Sequence, residues 1–402
     1  MKVIAAPVAL ALALIVGGTR ALAAQAMTAA PTDSAPAVRW QLLARRVLQR
    51  EPPSTRVAQQ GSVVPHIAPP ATTVGITRSI ALLSAAQYEA SERAATAAGS
   101  ERVAVAAASA LVLTRLQPRD SALLAHALAR ELAAARRAGE PDSAIRSGAQ
   151  VGRVAATSLL RWAGDGSTLA RWEGTLPSGP GIWRAPPDGE PAEIALLAQR
   201  PWSLSAAGQF TPGPPPRFGS AEFIAALDEV RRYAQARTPE HLGIARQWTQ
   251  RAPAEEWNRI AIDAMARHRV HAGRAAHLLA MVAIASADAL IACGDARYRY
   301  WLLRPTQADS TIALAEAVTL PLEPSYPSAD ACIAGAASTV LAQLVPESRD
   351  EMERIAHEAA MSGLYAGTHY RFDVETGMAL GRTIARWVIG QDTKGELRRG
   401  WR

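Results

Sequence analysis

Apolar positions recur at three- and four-residue spacing along most of the chain. That is the period of an amphipathic helix, not the alternation of a half-buried strand. The pattern predicts helices over residues 39–49, 77–98, 100–116, 120–138, 142–163, 220–236, 239–250, 255–270, 271–300, 331–344, 348–361 and 374–389. Composition points the same way: Ala is abundant, while Phe and Tyr number only 4 and 7. Ala and Leu favour helices, whereas strands want β-branched and aromatic side chains. There is no internal repeat and no heptad run. The expected fold class is all-α, a bundle of roughly ten to twelve helices.

The breaks in the pattern set the organisation. Residues 164–219 hold Pro-Ser-Gly-Pro-Gly, Ala-Pro-Pro-Asp-Gly and Pro-Gly-Pro-Pro-Pro, interleaved with Trp172, Trp183 and Trp202. A loop this long is functional or tied down, and its tryptophans are expected to pin it to the helical core near a pocket mouth. Pro65, Pro69 and Pro70 mark another loop over residues 59–73. The most apolar stretch, residues 278–293, carries Asp288 and is short for a bilayer crossing, so it reads as a core helix and not a transmembrane span.

At the start, Met1-Lys2, an apolar run and the small-residue sites Ala21-Leu22-Ala23 and Ala24-Gln25-Ala26 read as a secretory signal peptide over residues 1–26. Residues 27–38 read as a disordered tether, 39–254 as an N-terminal helical region, 255–390 as the catalytic region and 391–402 as a tail. The mature protein is therefore expected to be soluble and periplasmic or secreted. Without the signal, 41 basic face 36 acidic residues, intermingled as on an ordinary solvated surface, so no nucleic-acid partner is expected. Cys293 and Cys332 are either a bridge, suited to an oxidising compartment, or two small buried hydrophobes. His268, His271 and His277 have poor spacing for a metal site and read as ordinary histidines, so no metal ligands are assigned.

Three stretches carry chemistry. Arg297 and Arg304 lie seven residues apart, two turns of helix, with Pro305 expected to end that helix; on one face, two guanidiniums would clamp a tetrahedral oxyanion. Tyr326-Pro-Ser328-Ala329-Asp330 opens an Ala-rich helix, where free backbone N–H groups attract an anion, or where Ser328 or Asp330 simply caps. In Ser362-Gly363 to His369 and Asp373, a carboxylate four residues beyond an imidazole can fix its tautomer.

In this order, the three stretches resemble the signature of the type-2 phosphatidic acid phosphatase and vanadium haloperoxidase superfamily: Lys, six residues, Arg-Pro; Pro-Ser-Gly-His; Ser-Arg, five residues, His, three residues, Asp. The flanking Ala287-Asp288-Ala289, Gly335-Ala336-Ala337, Gly377 and Gly381 match its secreted bacterial haloperoxidase-like branch, as do Phe210-Thr-Pro-Gly-Pro-Pro-Pro and Glu229-Val230 upstream. The resemblance implies that superfamily's helical bundle and a pocket for a small phosphorylated or oxyanion ligand. His369 would be the nucleophile or the vanadium ligand, and Asp373 its orienter. Arg297, Arg304, Ser328 and the N–H of Ala329 would bind the oxygens.

Four positions depart from the signature. Arg297 replaces Lys, Ala329 replaces Gly, Asp330 replaces the His that serves as general acid, and Gly363 replaces the third cation, an Arg. Losing a preorganised charged donor costs about 3–4 kcal/mol of transition-state stabilisation. A carboxylate near the anion adds a few kcal/mol of repulsion, with Asp330 expected to be ionised beside two arginines. The sequence therefore reads as a phosphoric-ester hydrolase of weakened activity, with His369 as nucleophile and Asp330 as acid. The alternative is a non-catalytic member that has lost oxyanion binding. A vanadium oxidase, with vanadate as cofactor, is the least favoured reading.

Overall fold

The computed structural model describes residues 35–48, 72–164, 175–185, 191, 199–249 and 251–401. The expected signal peptide, most of the tether, residues 59–71 of the expected loop and Trp172 lie outside the described residues. Among the described residues there are thirteen α-helices and no strand, only an isolated bridge between Ile182 and Leu302. In chain order the helices are α1 (Pro36–Leu48), α2 (Thr73–Thr96), α3 (Glu101–Leu116), α4 (Ser121–Arg137), α5 (Asp142–Ala163), α6 (Ala221–Gln235), α7 (Pro239–Thr249), α8 (Pro253–Arg267), α9 (Ala275–Tyr300), α10 (Pro305–Ala308), α11 (Ala329–Leu344), α12 (Arg349–Ala366) and α13 (Arg371–Thr393).

Local chemistry fixes several of these boundaries. Ser100, Ser220 and Ser328 each cap a helix, accepting from the backbone N–H three residues on. Gly367, at φ 85°, ends α12 in the left-handed conformation that favours glycine. α12 runs five residues beyond the segment predicted from periodicity, because Leu364 and Ala366 continue its buried face as far as this turn.

The core is built on α9. This helix is long and apolar enough by composition to cross a membrane, yet nearly all of its most apolar window is buried inside the protein. It packs against α2, α8, α11 and α13, while α11 also lies against α12 and α13. At Gly377 the α13 backbone comes so close to the start of α11 that a Cβ there would sit 2.7 Å from Ser328 O. That contact sets the distance between two of the sequence motifs. Cys293 of α9 and Cys332 of α11 form a disulfide across a Cα separation of 6.5 Å, which settles the two readings in favour of a bridge.

The tryptophan-rich segment is tied down as expected where it is described. Asp288, fully buried on α9, accepts from Trp202 N at 2.6 Å, Ser203 N at 2.8 Å and Ser203 Oγ at 2.6 Å. Burial pushes the Asp288 carboxyl up to about 6 against the pull of these donors. Trp202 packs on Trp162 and Trp401, and Trp183 packs with Tyr298 and Trp301. Further on, Pro212 O and Gly213 O accept from the hydroxyls of Tyr300 and Tyr326, each at 2.7 Å. The proline run is thereby held beside the second motif.

Replacing Asp288 with Ala would strand two backbone N–H groups and a hydroxyl. The expected loss is about 2–4 kcal/mol in urea denaturation, with faster proteolysis near residues 199–219. Unchanged stability would show that this anchor holds nothing.

Candidate active site

The two arginines of the first motif do not share a helix. α9 ends at Tyr300, Trp301 turns the chain at φ 50°, and Arg304 sits in extended backbone at the N-cap of α10. Pro305 starts that short helix instead of ending the long one. The expectation of one helical face is corrected, because the aromatic packing of Trp301 against Tyr298 and Trp183 stops α9 one turn early. Both guanidiniums still converge, with Arg297 1% and Arg304 0% exposed.

Ser328 is buried at the N-cap of α11, where its Oγ accepts from Ala331 N at 3.4 Å. Ala329 opens that helix, and Asp330 is half-buried in its first turn. In the third motif, Ser362 and Gly363 lie in the last turn of α12. His369 follows the Gly367 turn, and Asp373 lies in the first turn of α13. His369 and Asp373 therefore meet across a turn and not along one helix. The glycine turn is drawn back by Thr368 N and His369 N, which donate to Gly363 O at 2.9 and 3.2 Å.

Asp373 organises the centre. Its Oδ2 accepts from His369 Nδ1 at 3.1 Å, Tyr370 N at 2.9 Å and Ser325 Oγ at 2.5 Å, and its carbonyl accepts from Ser328 N at 3.1 Å. On the other side of the ring, Arg304 Nη1 lies 3.3 Å from His369 Nε2. A guanidinium can only donate, so Nε2 carries the lone pair and the proton resides on Nδ1, facing the carboxylate. Burial first, then Arg304, pulls the His369 pKa below its ordinary value, against the upward pull of Asp373 and Asp330. The imidazole is neutral at pH 7.

The residue that the sequence reading missed is Glu323. Its Oε1 lies 3.0 Å from Arg304 Nη2 and 3.5 Å from Arg297 Nη1, so one carboxylate bridges both cations of the oxyanion clamp. Arg304 also donates through Nε to Glu323 O at 2.7 Å, through Nη2 to Pro324 O at 3.4 Å and through Nη1 to Thr368 O at 3.0 Å. With His369 Nε2 and Glu323 Oε1, these acceptors match the five N–H donors of a guanidinium. Ser325, two residues on, was missed as well. The only sequence signal was their place in the proline-rich lead into the second motif.

One expectation about charge changes. Asp330 was expected to be ionised by its arginine neighbours, but burial raises its pKa and outweighs Arg297 and Arg304, so the proton is held more tightly than on an ordinary carboxyl. Arg371 does not stand in for the absent third cation: it grips Glu229 of α6 through Nε and Nη2, at 2.6–3.0 Å. The place beside Gly363 is taken by the imidazole itself, since a Cβ there would lie 2.7 Å from His369 Cδ2.

Gly363→Ala inverts a familiar sign. In an ordinary helix interior this change stabilises by about 1 kcal/mol. Here it should destabilise by about 1–3 kcal/mol in urea denaturation, because the added methyl pushes on a ring held from both sides. A stabilised variant would mean that the ring is free to move away.

Residues 275–395 match the family model of the PAP2 superfamily. A search of the curated proteins finds no match. Among solved structures, the chain is similar to a bacterial vanadium-dependent iodoperoxidase, at TM-score 0.71 and 20% identity, covering 90% of this chain and 97% of that one. It is also similar to a bacterial vanadium-dependent chloroperoxidase in its holo form, at TM-score 0.64 and 13% identity over 92% and 99% of the two chains. The apo form gives TM-score 0.61 and 13% identity, covering 82% and 95%. Such identities speak for the fold alone. Residues 275–395 match the PAP2 superfamily, in an all-α chain with the fold of the vanadium-dependent haloperoxidases.

Proposed function

We propose that this protein is an exported phosphoric-ester hydrolase that works through a phosphohistidine at His369. The observation that carries the reading is the orientation of the imidazole: Asp373 holds Nδ1–H, and Nε2 presents its lone pair beside Arg304. Nε2 attacks phosphorus, the P–O ester bond breaks, and Asp330 gives its proton to the departing alkoxide. Water then attacks the phosphohistidine, the P–N bond breaks, and the Asp330 carboxylate takes the proton released. The raised pKa of Asp330 supports its role as the acid, and the lowered pKa of His369 supports its role as the nucleophile. The disulfide is consistent with export.

The second reading, a member that no longer binds oxyanions, is favoured by one observation, the Glu323 carboxylate across both arginines. It also bears on vanadate, the cofactor that the fold implies. As the clamp stands, the residues do not fit a resident vanadate, because the donors of Arg304 are spent within the chain and the imidazole lies against Gly363; a phosphate meets the same obstacle until Glu323 is displaced. No step is derived through it.

The pH dependence follows from the two shifts. Turnover needs His369 unprotonated and Asp330 protonated. The acidic limb is therefore set by a histidine pKa below 6.5, and the alkaline limb by a carboxyl pKa above 3.8. Hydrolysis of p-nitrophenyl phosphate should follow a bell-shaped pH profile, and His369→Ala should abolish it. No phosphate release by the wild-type protein anywhere from about pH 4 to about pH 8 would sink the hydrolase reading.

A further inference from the structure

We infer that Glu323 is an intramolecular stand-in for the oxyanion: its carboxylate occupies the arginine clamp, so that phosphate enters only when the segment around residues 320–327 releases it. This deepens the hydrolase reading and rests on the same pocket.

The argument is one of donors and charge. An oxyanion bound in this clamp takes N–H groups from Arg297 and Arg304, and Glu323 Oε1 already lies within 3.5 Å of one nitrogen of each. The contact is sheltered, since both arginines are buried and the Glu323 side chain is 13% exposed. Removing one partner of a buried ion pair is costly, because it leaves an uncompensated charge, and a second anion can relieve that charge. Phosphate would supply that charge, with the tetrahedral oxygens that suit the fork of a guanidinium.

The same residue also ties down the approach to the nucleophile. Glu323 O and Pro324 O hold the Nε and Nη2 side of Arg304, whose Nη1 covers His369 Nε2. Displacing the carboxylate therefore loosens the grip on the atom that must attack. The segment is suited to movement at its outer end: Leu322 is exposed, while Pro324 and Ser325 are buried. A swing about residues 320–323 would release the side chain and leave the Ser325–Asp373 bond in place.

The test is calorimetric titration of inorganic phosphate into the wild-type protein, Glu323→Gln and Glu323→Ala near neutral pH. Glu323→Gln keeps the shape and an acceptor oxygen for Arg304 while removing the charge, and urea denaturation of each variant checks that it is folded before titration. Both variants should bind phosphate on the order of 10- to 100-fold more tightly than wild type, the worth of one hydrogen bond between charged groups. Wild-type protein that binds phosphate as tightly as the variants, or variants that bind no better than wild type, would overturn the inference. Parallel assays with p-nitrophenyl phosphate separate it from the hydrolase reading. Tighter binding without turnover leaves the clasp standing and removes the hydrolase. Wild-type turnover with phosphate affinity unchanged in Glu323→Gln does the reverse.

Discussion

The site depends on the full hydrogen bonding of one buried guanidinium. Arg304 has no exposed surface, and burial works against its charge while Glu323 works for it. Taking such a cation out of water costs several kcal/mol unless its donors are met. They are met by acceptors from two other motifs: Glu323 and Pro324 in the lead into the second, Thr368 and His369 in the third. The first motif is thus the knot that draws the other two together. α9, which brings Arg297 to the same carboxylate, is fixed to α11 by the disulfide.

Asp373 is the counterpart of that knot on the far side of the imidazole. It accepts from the ring, from the N–H of Tyr370 at the N-cap of α13 and from Ser325, and through its carbonyl it holds the Ser328 turn. His369 is therefore gripped at both nitrogens. The arrangement is well made for keeping a neutral, oriented imidazole and poorly made for receiving a second anion. The charges explain why: two arginines face Glu323 and Asp373, while Asp330 leans towards its neutral form. A phosphate dianion would enter a site with little net positive charge, where the superfamily signature provides three cations.

Much of this was legible in the sequence. The helical period gave most elements to within a few residues, because apolar spacing and Ser, Pro and Gly boundaries agree with the tertiary packing. Three motifs in order grouped Arg297, Arg304, Ser328, His369 and Asp373, and the structure brings these residues close together. What failed was whatever depended on a turn or on burial. Seven-residue spacing placed Arg304 on a helix that Trp301 ends first. Proximity to arginines suggested an ionised Asp330, yet the desolvation that reverses it is a tertiary property. Glu323 was invisible because a single acidic residue among prolines has no period and no partner in sequence; its partners lie 19 and 26 residues away.

The central claim is that His369 is a neutral imidazole with its proton on Nδ1 and its Nε2 lone pair held by Arg304. Nitrogen-15 NMR of the histidine-labelled protein near neutral pH tests it most directly, with His369→Gln assigning the signal. The account predicts a protonated Nδ1 and an unprotonated, hydrogen-bonded Nε2 that persists well below the ordinary histidine pKa. An imidazolium with both nitrogens protonated at that pH, or the opposite tautomer, would contradict it.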